Sequence, residues 1–111
     1  MPKPKVSKAA MGDIVRHAAQ VQNQVDKIRG ELRDREVSAT SGDGCVAVIV
    51  TCAGQVRGIR VDPGLLQAEG LELALDMIVA TTNRALAEAD ALVDAEITKA
   101  TGGLRIPGVN A

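Results

Sequence analysis

The chain contains no phenylalanine, tyrosine or tryptophan, a single histidine and two cysteines in 111 residues. Without aromatic rings it has no platform for stacking unpaired bases, which argues against a single-strand binding mode. Core volume must come from Val, Ile, Leu, Met and Ala, and so small a core gains from burial against a second copy, which predicts a homodimer. One histidine and two thiols do not supply a nucleophile, a base and an orienting acid, so no enzyme and no small-molecule substrate is expected. Nor do they fill a zinc site: there is no CxxC, and no cofactor or metal is expected. The glycines at Gly42-Asp43-Gly44 and Gly102-Gly103 lack the lysine and strand context of a phosphate loop and read as turns. No apolar run reaches membrane-spanning length, and the start lacks the apolar core of a signal peptide, so a cytoplasmic protein is expected. Cys45 and Cys52 fall in one expected strand, about 23 Å apart, too far for a disulfide. They are expected to be reduced, buried and inert.

What is present is periodic. Met11, Ile14, Ala18, Val21, Val25, Ile28 and Leu32 alternate spacings of three and four, an a/d seam for helix packing. Gln20, Gln22, Asn23 and Gln24 keep the remaining faces polar. The helix should run from a Ser7 cap to about Arg33, behind a flexible basic arm, residues 1–7, with two prolines and two lysines. From Glu36 the period changes to two. Residues 37–41, 45–52 and 56–61 read as three strands joined by tight turns, an antiparallel meander. The near-continuous apolar run at 45–52 predicts cover on both faces, and Ile59 and Val61 should point to one side of the third strand. Asp62 and Pro63 then read as N-cap and first residue of a helical segment, with Gly70 separating a first turn from a long helix over 71–101. That helix is expected to bury Leu75, Ile78, Val79, Leu86, Ala89, Val93 and Ile97, to stop at Gly102-Gly103, and to leave a tail, 102–111, in which Leu104, Ile106 and Pro107 can dock. The expectation is an α+β single domain over 1–111, ordered helix, three strands, helix.

A net charge of −1 hides an asymmetry. Up to Arg35 there are eight basic and four acidic residues; beyond it, five basic and ten acidic. Lys8, Arg16, Lys27 and Arg33 project from the side of the first helix opposite the seam, with Arg29 at the seam's edge. Such a segment on an acidic body suits a polyanion, although a solvated helix face has the same composition. Lys27 and Glu31 stand at i,i+4 and can neutralise each other. His17 reads as a packing or surface residue, Asn83 as a buried polar group that fixes helix register, and Glu88, Asp90, Asp94 and Glu96 as a solvated face. No helix-turn-helix or zinc-finger motif for base reading is present.

Five segments in this order, AAQVQNQVDKI (18–28), Gly42 with the strand to Val50, IRVDPGLL (59–66), MIVATTNRALAEA (77–89) and TGGLRIPG (101–108), resemble the YbaB/EbfC family of small bacterial nucleoid-associated proteins. The resemblance covers nearly the whole chain. It implies a homodimer with central strands and projecting long helices in a tweezer-like shape, binding double-stranded DNA with little sequence dependence and organising the nucleoid. Carried over by position, it implies DNA contacts from Lys8, Arg16, Lys27, Arg29 and Arg33, and more weakly from Arg84 and Lys99. The other functional class is a dimeric protein-interaction module in replication or repair without significant DNA affinity; its apolar contacts would not weaken with salt, whereas phosphate contacts must.

Overall fold

Asp62 sets where the second helix starts: its carboxylate accepts the N–H of Gly64 at 2.9 Å, and Pro63 occupies the first helical position, where a missing N–H costs nothing. The computed structural model describes residues 8–102, with side chains from Met11 on; the expected basic arm, the Ser7 cap and the docking of Leu104, Ile106 and Pro107 lie outside the described residues. The order is α1 (Lys8–Leu32), β1 (Glu36–Thr40), β2 (Val46–Thr51), β3 (Val56–Val61) and α2 (Pro63–Ala100). The expected α+β class and meander are therefore present, with β2 central and antiparallel to both neighbours.

Polar turn residues hold the register. The Ser41 hydroxyl donates to the Asp43 carboxylate at 2.6 Å and accepts the Val46 N–H at 3.0 Å, closing the β1–β2 turn. That hydroxyl, followed by the Cys45 N–H, holds the Asp43 carboxyl below its ordinary pKa. Val46, Val48 and Val50 share one face of β2 and are fully buried beneath α2, with Val37 and Ala39 beside them. Cover is one-sided: α2 alone packs on the sheet among the described elements, and Ala47 and Ile49 on the other face are only half-buried. The two cysteines flank β2 instead of lying within it, and both are free and half-buried. Burial raises both thiols above their ordinary pKa, Asp43 and Asp62 adding to the effect at Cys45.

The expected stripe of α2 needs correction. Ala89, Val93 and Ile97 are buried, but upstream the sheet receives Ala74, Thr81 and Ala85, while Leu75 and Val79 are half or more exposed. Small residues let the helix backbone lie close to the valines of β2, so the larger side chains turn away. Gly70 breaks the helix as expected, at φ 85°, ψ 169°, a conformation essentially confined to glycine.

The seam of α1 divides in two. Val25 is buried against Val93 and Ile97 of the same chain, with Ile28 and Leu32 alongside. Met11, Ile14 and Ala18 are exposed, Ile14 to 65%. Because α1 packs on α2 alone, it projects, and the radius of gyration is 21.3 Å with extents of 77 × 30 × 18 Å. A compact chain of this length would have a radius near about 13 Å.

Gly30, inside α1, has nothing within 4 Å of where a Cβ would sit. Gly30→Ala should therefore stabilise the protein by roughly 0.5–1 kcal/mol through helix propensity and lower unfolded-chain entropy. A higher urea midpoint at unchanged m-value is the expected reading; a lower midpoint would show that the site needs glycine.

Candidate nucleic-acid interface

The basic residues expected to act together are not alike once their neighbours are in place. Lys8 opens α1, with its side chain outside the described residues. Arg16 lies 3.6 Å from Asp13, Lys27 3.9 Å from Glu31 and Arg84 3.9 Å from Glu88, each partner within one helical turn. Such exposed pairs contribute little to stability, but each carboxylate offsets a charge that would otherwise face a polyanion. Lys99, in the last turn of α2, has no ion pair among the described residues and sits where a cation complements the helix dipole.

Arg29 and Arg33 differ. Neither has a carboxylate within ion-pairing distance among the described residues. Both line an open cleft of about 510 Å³ between the end of α1, the β2–β3 turn and α2, with Gly30, Cys52, Ala53, Gly54, Asp90 and Val93. The cleft is held by backbone bonds. Cys52 N–H donates to the Arg35 carbonyl at 2.9 Å and Ala53 N–H to the Arg33 carbonyl at 3.1 Å, tying the chain after α1 to the hairpin. The Gly54 N–H donates to the Thr51 carbonyl at 2.9 Å, and φ 88° at Gly54 then turns the chain so that the Gln55 carbonyl accepts the Thr51 N–H at 2.8 Å.

Two arginines that periodicity did not single out flank the cleft without lining it. Arg35 neighbours Cys52, whose thiol its charge pulls downward against the larger effect of burial. Arg57 lies on β3, 3.8 Å from Asp34. Gly58 pairs with Ile49 and Val56 with Val50, so Arg57 is the extra residue of a β-bulge and has no partner across the ladder. Nothing in the alternation of 56–61 signals that bulge.

His17 is exposed, as a surface residue would be; Asn83 is exposed too, contrary to the expectation of a buried register group. No cluster of His, Cys, Asp and Glu suited to a metal ion occurs among the described residues, and none of their helices is long and apolar enough to cross a membrane.

A second surface is apolar. Leu71, Leu75 and Val79 follow one another at i,i+4 along α2, Leu71 63% and Val79 59% exposed, with Leu66 and Ile59 also bare. Ile59 lies on the α2-facing side of the sheet but is left uncovered, because α2 crosses chiefly β1 and β2.

A family profile described as the YbaB/EbfC DNA-binding family matches residues 8–104. A nucleoid-associated protein of Acetivibrio thermocellus is 35% identical over 100 residues, covering 89% of this chain and 88% of the relative. One from Clostridium novyi is 32% identical over 99 residues, covering 89% and 87%. Among solved structures, an uncharacterized protein of Helicobacter pylori superposes with a TM-score of 0.59 at 15% identity, over 70% of this chain and 90% of that one, a likeness of fold.

Proposed function

The chain belongs to the YbaB/EbfC DNA-binding family, and from that premise we propose that it is a nucleoid-associated protein that binds double-stranded DNA as a homodimer. Contacts run to phosphates, with little sequence dependence, and the paired protomers organise or bridge the chromosome in the cytoplasm. The observation that carries the reading is α1 itself, a projecting rod with Lys8, Arg16, Lys27 and Arg29 along it and Arg33 just past its end, which packs on the body only near that end. Phosphate binding needs several lysines and arginines whose contacts release counterions, and a two-fold dimer doubles whatever one protomer offers. The candidate contacts are Lys8, Arg16, Lys27, Arg29, Arg33, Arg84 and Lys99, of which Arg29, Arg33 and Lys99 have no ion-paired carboxylate among the described residues. Dimerisation has its own support in the bare Leu71, Leu75 and Val79 stripe, which a second copy of the chain would cover.

The test is anisotropy of a labelled random-sequence duplex across a salt series. With about four phosphates neutralised, affinity should fall on the order of a hundredfold between 50 and 200 mM salt. Binding that ignores salt, or no binding at low salt, would overturn the reading in favour of a helical protein-interaction module whose contacts are apolar.

A further inference from the structure

Four arginines lie about the foot of α1, two lining its cleft and two, Arg35 and Arg57, outside the lining, from the end of α1, its connection to β1 and the start of β3. Arg29 and Arg33 are one helical turn apart and line the same cleft. Arg35 follows in the connection to β1, its carbonyl bonded to the Cys52 N–H. Arg57 comes from the β3 bulge, a device that re-aims a side chain out of the strand's alternation. Two carboxylates stand among them. Asp90 lines the cleft, and Asp34 holds Arg57 at 3.8 Å in an exposed pair, weak enough to yield to a phosphate.

Arginines at a helix C-terminus have an ordinary use in capping the last carbonyls. Here the Leu32 carbonyl accepts the Arg35 N–H at 2.9 Å and the Arg33 carbonyl accepts the Ala53 N–H at 3.1 Å, so those two carbonyls already have donors. The cleft wall is also low: Gly30 and Gly54 contribute no side chain, and a Cβ on either would meet nothing within 4 Å. A bulky polymer backbone can approach there. Farther out on α1, Arg16 and Lys27 each stand beside an acid of their own helix, in exposed pairs comparable to that of Arg57, so what sets the foot apart is that basic residues from separate elements meet there.

We infer that a DNA phosphate backbone crosses the foot of α1, seated in the cleft of Arg29 and Arg33 and reaching Arg35 and Arg57 outside its lining, so that the duplex lies across the foot of α1 and not along its outer length. The inference rests on the DNA-binding reading above. It adds Arg35 and Arg57 to the contacts and removes Arg16 and Lys27. Guanidinium forks suit phosphate oxygens bidentately, and lysine is absent from the cluster.

The experiment compares the full-length chain with two sets of substitutions on the same random-sequence duplex: Arg33→Gln, Arg35→Gln and Arg57→Gln at the foot, Arg16→Gln and Lys27→Gln on the outer rod. Each foot substitution should weaken binding by about threefold to tenfold and flatten the salt dependence, the log–log slope falling by about one per lost phosphate contact. The outer pair should stay within about twofold of the parent. Far-UV circular dichroism and melting check the fold, and Arg57→Lys, which keeps the charge without the fork, should bind with an affinity between those of the parent and Arg57→Gln. Loss from the outer set with the foot set intact, or equal loss from both, overturns the inference while the DNA-binding reading stands. Failure of the parent chain to bind overturns both.

Discussion

Ile97→Ala should cost roughly 2–5 kcal/mol and free α1 from the body while the sheet stays folded. Ile97 has no exposed surface, and it packs with Val93 and Val25, flanked by Ile28 and Leu32, in a cluster separate from the valine core beneath the sheet. That cluster is the whole of the apolar attachment of α1 in one protomer, because α1 packs on no strand. An attachment of so few side chains cannot absorb the cavity by relaxation of many neighbours, which places the cost toward the upper part of the range. The expected result is a two-step melt: loss of α1 helicity and of its amide protection first, then the sheet. DNA affinity should fall with the first step, since Arg29 and Arg33 lose their place. Val48→Ala, in the sheet core, should instead lower a single late transition. One cooperative transition for Ile97→Ala would show that arm and sheet are a single unit.

Leu75→Glu with Val79→Glu should raise the dimer dissociation constant by about a hundredfold or more, because two desolvated carboxylates per protomer face their symmetry mates. In an isolated protomer both side chains are half or more exposed, so the substitutions leave the fold of one chain within about 0.5 kcal/mol. Sedimentation at micromolar concentration should then report a monomer. DNA binding should weaken beyond the loss of any single contact, since two linked sets of arginines bind with avidity that separate protomers lack. A dimer that survives would move the interface to the uncovered side of the sheet or to Met11 and Ile14.

Much of this architecture was legible from residue order alone. The switch from a 3.6 to a 2 period near Glu36, the Asp62-Pro63 start and the break at Gly70 all reflect local backbone chemistry, which sequence carries directly. Which side of α2 meets the sheet did not follow from hydrophobicity. Leu75 outranks Ala74 on any apolar scale, yet closeness of approach to Val48 selects the alanine, and the leucine is left outside. The seam was legible as a seam, but not that only its last turns are covered within one protomer, because α2 ends beside the middle of α1. Among the candidate contacts, charge, helical position and the i,i+4 pairing of Lys27 with Glu31 were readable, while the pairing of Arg16 and Arg84 depended on rotamers and that of Arg57 on a bulge. A count of lysines and arginines on a helical wheel treats these as equal; their carboxylate neighbours do not.

The one-ended attachment of α1 gives the molecule a lever. Met11 stands about 21 Å beyond Val25 at 1.5 Å per residue, so a tilt of about 20° at the packed end displaces the tip by about 7 Å. In the proposed dimer, two such levers would stand as calipers whose gap depends on how each arm sits on its own α2. On that proposal, the range of duplex curvatures the pair accepts would depend on how tightly Val25 is gripped by Val93 and Ile97.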